Sequence, residues 1–372
     1  MNTNIFVTLL LLILTFLMAV SRPSGAVAAA QQATAAPTEP ATPSATVLGV
    51  APVPALDPMP TGDNLGKAYV GAVDMAYDAG ARGVELDKTW KDLEPSPGKF
   101  ALDDLDMAAN YMIGERGFEI LLNIQLINTV SRQMPADLEG KPFDSVAVRD
   151  RFHALIDAIA PHINPHFQYL AVGNEVDVYL ATKNEWKAYQ TFYEDSVAYI
   201  HKLLPWIKVG VTNTFDGATT RSVKEVAALN IASDVYIITY YPLGADFVVR
   251  SPDSPLTDFP KLVALAGNRP LVLQEVGYPA SETLASSEQQ QADFVTNAFK
   301  AWAAAGDKIP WLDFYMLHDM PAQMCNDLSQ YYRLPNSKNF KAYLCTLGLR
   351  KSNGAPRLAW QAFVDSAAQI RR

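Results

Sequence analysis

Cysteine is scarce in this chain, with two residues, Cys325 and Cys345, among 372. Histidine is scarce as well, at five. The one close pair, His162 and His166, is flanked by Pro161 and Pro165, which favours a turn over a helical ligand face. No Cys or His spacing therefore suggests a zinc site, and no metal or organic cofactor is expected. A basic excess is also missing: the formal net charge is −9, which argues against nucleic acid or a polyanion as partner, because both are drawn to basic grooves. No internal repeat is evident. What remains is a chain of 49% hydrophobic and 19% charged residues, long enough to bury a large core in one catalytic domain, and a monomer is expected.

The first residues differ in kind from the rest. Ile5 to Val20 is a stretch of 16 mostly apolar residues, followed by Ser21-Arg22-Pro23 and by small residues from Ala26 to Ala30. This pattern resembles a secretory signal over residues 1–28, with an Ala-x-Ala cleavage site near Ala28 or Ala30. The four residues before it carry no Lys or Arg, so an uncleaved membrane anchor is the alternative, although spanning takes about 20 apolar residues. Residues 29–46 are rich in Ala, Thr, Pro and Gln and read as a flexible linker. The folded part is expected over residues 47–372, in the periplasm or outside the cell. Two cysteines in an exported chain are candidates for one disulfide, which would pin the long segment after the last strand.

From Val47 onward, short apolar runs alternate with helix-like segments. Strands are expected at Val47–Val53, Gly83–Leu86, Phe118–Leu126, Phe167–Gly173, Lys208–Thr212, Asp234–Thr239, Pro270–Gln274 and Trp311–Met316. The helices between and after them are expected at Asn64–Ala79, Leu102–Arg116, Val146–Ile163, Asn184–Leu204, Ser222–Leu229, Pro260–Ala266, Glu288–Ala305 and Leu358–Ile370. Eight such units predict an α/β fold, the (β/α)8 TIM barrel, with function at the strand C-termini. Two of the runs end in a carboxylate: Tyr169-Leu-Ala-Val-Gly-Asn-Glu175 and Leu271-Val-Leu-Gln-Glu275. Two glutamates brought by separate strands to one rim are what glycosidic cleavage requires, one to protonate the leaving oxygen and one to meet the oxocarbenium-like carbon. A neutral carbohydrate substrate follows as the expected partner.

Asn174-Glu175, Tyr241-Pro242 and Glu275-Val-Gly-Tyr-Pro279 together resemble, in order and spacing, the clan of retaining glycoside hydrolases built on TIM barrels. Supporting likenesses run from Gly83 through Trp90 to Phe100 and from Gly348 to Trp360. Within the clan, the chain is most similar to endo-β-1,4-galactanases and plant-type β-1,3-glucanases. The resemblance implies Glu175 as acid/base after strand four and Glu275 as nucleophile after strand seven. Asn174 would reach the sugar hydroxyl beside the reacting carbon, and Tyr241 would donate to Glu275. Two positions depart from the pattern. Glu85 stands where many members have an arginine supporting the nucleophile, and no tryptophan closes strand eight, which reads Phe314-Tyr-Met-Leu-His-Asp319.

Further substrate contacts are expected from Trp90, Tyr240, Tyr278, Trp311 and Tyr315, and from His318 and Asp319 after strand eight. Asn123, Gln125 and Asn128, around the end of strand three, are candidates of the same kind. Trp186, Tyr189, Tyr193 and Tyr199 fall at mostly helical spacing and are assigned to the helix-barrel interface. The same pattern also admits a transglycosylase, or a barrel that binds glycans without cleaving them.

Overall fold

The computed structural model describes residues 46–370, so the expected signal segment and nearly all of the linker lie outside the described residues. The strands are β1 (Val47–Val50), β2 (Gly83–Thr89), β3 (Glu119–Asn128), β4 (Phe167–Asn174), β5 (Lys208–Gly210, resuming after Val211 as Thr212–Thr214), β6 (Tyr236–Tyr240), β7 (Leu271–Val276) and β8 (Trp311–Phe314). All are parallel to their ring neighbours, and β8 returns to β1, pairing Trp311 with Val47. The two halves of β5 close the ring, Lys208–Gly210 against β4 and Thr212–Thr214 against β6. This is the TIM barrel, as expected. A two-residue strand, Ser131–Arg132, folds back antiparallel on the end of β3.

The outer layer consists of α1 (Asp63–Ala79), α2 (Asp103–Met107, continuing as a π-helix through Glu115), α3 (Val146–Ile159), α4 (Trp186–Leu203), α5 (Val223–Leu229), α6 (Pro255–Ala266), α7 (Glu288–Ala305) and α8 (Leu358–Ile370). Their apolar faces meet the outward side chains of the strands in one large core. Tyr189 and Tyr193 are fully buried there, and Trp186 and Tyr199 pack against it, as their spacing implied. Helix α6 starts at Pro255, a residue suited to a first helical turn, earlier than the expected Pro260, which lies inside the helix. Among the described residues, no helix is long and apolar enough to cross a membrane.

Inside the ring, side chains stack in layers, as the pleat of parallel strands dictates. The floor is apolar, built from Val47, Leu121, Tyr169, Ile237, Val272 and Trp311 among others. Above it lies a polar belt. Thr212 donates to Gln274 Oε1, Gln274 Nε2 donates to Asn174 Oδ1 at 2.9 Å, and Asn123 Nδ2 reaches Asn174 Oδ1 at 3.3 Å and Asp87 Oδ1 at 2.8 Å. Thus β5, β7, β4, β3 and β2 are tied across the barrel just beneath the mouth.

Two helices not anticipated from the sequence, Ala322–Tyr331 and Lys338–Leu344, fill the excursion between β8 and α8. Cys325 and Cys345 are joined, with Cα atoms 5.9 Å apart.

Candidate active site

Glu175 follows the last residue of β4 and precedes the helix Val176–Lys183, with φ 46° in the left-handed region. A branched or long side chain there costs roughly 1–3 kcal/mol and survives where surrounding structure over-determines it. The turn is made possible two residues earlier. Gly173 has φ 92°, and a Cβ there would lie 2.5 Å from Val176 and 2.7 Å from the Tyr189 hydroxyl. The bend carries the carboxyl over the mouth, where Thr129 Oγ1 donates to Oε2 and Thr239 Oγ1 to Oε1, each at 2.7 Å.

Glu275 sits on β7 next to Thr239 of β6 in register. The Tyr241 hydroxyl donates to its Oε2. Gly277 makes that contact possible, because a Cβ would fall 2.6 Å from the Tyr241 ring and 2.8 Å from the Tyr315 carbonyl. Thr239 therefore stands between the two glutamates, bonded to one and paired in register with the other.

Both carboxyls are half-buried, and burial raises both above the usual carboxylate range. For Glu175, the two threonine hydroxyls pull the other way, since they favour the ionised form. For Glu275, the nearby charge of Glu175 raises it further, Tyr241 lowers it, and Asp87 and Asp313 raise it again. Two close carboxyls in one enclosed site resist double ionisation, so the pair holds a proton where an isolated glutamate would not.

Around them is a cavity of about 1130 Å³, lined by Glu175, Glu275, Asn174, Tyr241, Gln125 and Asn128 among others. The Asn174 amide oxygen is taken by Asn123 and Gln274, which leaves its Nδ2 donor for the cavity. Glu85 lies on β2 beneath the mouth, accepting from Asn123 Nδ2 at 3.1 Å, with its own carboxyl held up by burial and by Asp87 and Glu275. It is therefore no surrogate for an arginine. Tyr315, directly after β8, does line the cavity, as expected.

Besides Asn123, which is fully buried in the polar belt, six expected contact residues lie elsewhere. Trp90 is fully buried behind β2, with Nε1 donating to Glu94 Oε2 at 3.0 Å and its ring edge-on to Phe152. Tyr240 points outward from β6, as alternation requires of a neighbour of Thr239, and its hydroxyl donates to Asp258 at 2.9 Å. Tyr278 stacks on Phe294 and donates to the Arg250 carbonyl. His318 is held through Nδ1 by the Val53 carbonyl at 2.8 Å, and Asp319 is paired with buried Arg357 at 2.6 Å. These five are structural, as is Trp311, edge-on to Tyr169 in the barrel floor. Large aromatics near a barrel rim have two faces to choose from, and most of these chose the core.

The aromatics that do line the cavity include Tyr331, Tyr332, Phe340 and Tyr343, from the excursion after β8, and Phe247. The only signal for them in the sequence is the density of aromatics between Tyr331 and Tyr343, with Cys325 and Cys345 on either side. No metal-binding cluster of His, Cys, Asp and Glu occurs among the described residues.

The sequence matches no protein-family model and no curated protein. The fold, by contrast, has many solved counterparts. A subfamily GH5_18 protein from Bifidobacterium longum, solved with Manβ1-4GlcNAc, superposes with a TM-score of 0.68 at 16% identity, covering 88% of this chain and 78% of that one. An exo-β-1,4-mannosidase from an Opitutaceae bacterium gives 0.64 at 19% identity, covering 87% and 59%. A family 39 glycoside hydrolase from Bacteroides cellulosilyticus gives 0.60 at 16%, covering 87% and 64%. These likenesses place the chain among barrels of the glycoside hydrolase type by fold.

Proposed function

We propose that this protein is a retaining β-glycosidase, exported from the cytoplasm, that cleaves a neutral polysaccharide or oligosaccharide. Glu275 attacks the anomeric carbon as the glycosidic bond breaks, and Glu175 gives its proton to the leaving oxygen. Glu175 then takes a proton from water, whose oxygen displaces Glu275 and restores both groups. The observation that carries the reading is one pair of half-buried carboxyls at the barrel mouth, each held by hydroxyl donors from neighbouring elements. Glu175 is held at both oxygens by threonines, while Glu275 is held by a phenol that favours its charge at the moment of attack. Asn174, beside the pair, offers its free amide donor to the neighbouring sugar hydroxyl, a bond that strengthens in the transition state. The glycoside hydrolases that share the fold support the same class.

The test is hydrolysis of aryl β-glycosides and of β-glucan, galactan and mannan, with Glu275→Gln as control and the anomer of the first product read by NMR. Turnover lost in the variant, with the β-anomer formed first, is expected. Glycan binding without turnover in either protein would make this a non-catalytic barrel, and lengthened products would make it a transglycosylase. An inverted anomer would remove Glu275 as nucleophile.

A further inference from the structure

The excursion between β8 and α8 is a small structure with its own apolar centre. Its two helices, joined by Cys325–Cys345, pack around Met316, Met320, Phe340, Leu344 and Leu347, together with Leu56 from the loop after β1. It is fastened on both sides of the barrel mouth. On one side, the Tyr331 hydroxyl donates to the Asn128 carbonyl at 2.9 Å and accepts from Ser131 Oγ at 2.9 Å and Gln133 Nε2 at 3.0 Å, all at the end of β3. On the other, Asn339 Nδ2 donates to the Asp246 carbonyl at 2.7 Å, and Phe247 packs on Phe340 and Tyr343 with centroids 5.0 and 5.7 Å apart. Such a strap spans the mouth from the β3 loop to the β6 loop.

It comes down beside Glu275. The Tyr343 ring lies edge-on to Tyr241, centroids 5.5 Å apart, and Tyr241 is the phenol bonded to Glu275. Tyr315, at the root of the strap, lines the cavity as well. The cavity is also lined by Glu175, Val178, Thr214, Phe215 and Thr219, which follow β4 and β5, the strands between the strap's two anchorages. A third lobe reaches Val84 and Leu86, on the face of β2 opposite Glu85 and Asp87. Tyr69 and Val73 of α1 and Met107 of α2 line the cavity there as well, so that lobe lies between the barrel wall and the helices.

We propose that the strap closes the cavity on the nucleophile's side, so that one sugar fits on Glu275 and further sugars fit only beyond Glu175. The enzyme then removes single sugars from the non-reducing end of a β-linked chain and does not cut within it. In double displacement, the sugar transferred to Glu275 is the one whose glycosidic oxygen Glu175 protonates; with no room for a preceding unit, that sugar is the terminal one. This deepens the glycosidase reading and rests on it.

The probe is a β-linked pentasaccharide of the sugar whose aryl β-glycoside is cleaved fastest, labelled at its reducing end, with products sized at a few per cent conversion. A single labelled tetrasaccharide plus free monosaccharide is expected at first, and a pentasaccharide whose terminal sugar carries a cyclic acetal should stay uncut. Loosening the strap with Tyr331→Phe and Asn339→Ala together should allow the capped chain to be cut. Several labelled lengths from the start, cleavage of the capped chain by the unaltered protein, or capped chains still refused by a folded double variant would each overturn the inference. Internal cutting of the chain leaves the glycosidase reading standing, whereas failure on every aryl glycoside and every polysaccharide removes both.

Discussion

Replacing Tyr241 with phenylalanine isolates the one hydrogen bond that holds Glu275 in its ionised form. The ring stays in place, since it rests against Gly277 and Tyr343, while the hydroxyl that donates to Oε2 is removed. A hydrogen bond to a charged group in an enclosed site contributes about 1.5–3 kcal/mol. Removing it should lower kcat about 10- to 150-fold and raise the Glu275 pKa, since the bond favours the ionised form. The sign is fixed by the role. Glu275 must be ionised to attack, so activity is present above its pKa and lost below it. The acid limb of kcat/KM should therefore move to higher pH in Tyr241→Phe, and alkaline buffer should recover much of the lost rate. The assay is a pH profile with an aryl β-glycoside whose leaving group needs no protonation, so that the limb reports Glu275 alone. An acid limb that stays where it was, or moves to lower pH, would refute both the assignment and the electrostatic account.

Other perturbations act on the remaining parts of the site and its support. Thr239→Val removes a hydroxyl that favours the ionised form of Glu175, so the general acid should keep its proton to higher pH and the alkaline limb should move up. A limb that moves down would show that Thr239 acts otherwise. Asp177 is 3% exposed, accepts from Thr214 N at 2.8 Å, and is raised by burial to about 7. Its contribution to stability is full below about pH 4 and is lost as pH rises towards 7, by about 4 kcal/mol at most. The melting temperature of Asp177→Asn minus that of the unaltered protein should therefore grow from pH 4 to pH 8, and a difference independent of pH would contradict this. Cys325 and Cys345 close a loop with a sequence separation of 20, which predicts a loss of about 3 kcal/mol when both become alanine; an unchanged melting temperature would show that the strap is held by its packing and hydrogen bonds.

The ring of eight strands was legible in the sequence because its signal is redundant. Parallel strands buried on both faces must be apolar throughout, and each is separated from the next by a helical stretch. The positions of Glu175 and Glu275 followed from the same runs, each ending in a carboxylate. Side-chain direction was harder to read. Thr239, Tyr240 and Tyr241 are consecutive, yet Thr239 and Tyr241 reach the two glutamates while Tyr240 is locked into the helix layer by Asp258. Nothing in a tyrosine pair says which member faces inward until the register of β6 against β7 is known. The strap was illegible for a different reason. Its two helices are short, and their aromatics line a cavity whose other residues come from many strands of the barrel, so no local periodicity marks them.

The departure at Glu85 bears on how the site works at all. A supporting arginine would hold a nucleophile ionised by direct attraction. Here Glu85, Asp87 and Asp313 lie beneath Glu275 instead, and the last two push its carboxyl upward. Against them stands the Tyr241 bond, and any donor that a bound sugar brings to the same oxygens. Ionisation of Glu275 therefore depends on hydrogen bonding more than on charge, and the free enzyme should hold its proton to higher pH than the enzyme with a sugar in place. That difference is measurable, because the acid limb of kcat/KM reports the free enzyme and that of kcat the complex. The limb should lie at lower pH for kcat than for kcat/KM, with the gap narrowing in Asp313→Asn, where one of the opposing acidic groups is gone. Equal limbs in both parameters would mean that the acid cluster, and not the substrate, sets the charge on Glu275.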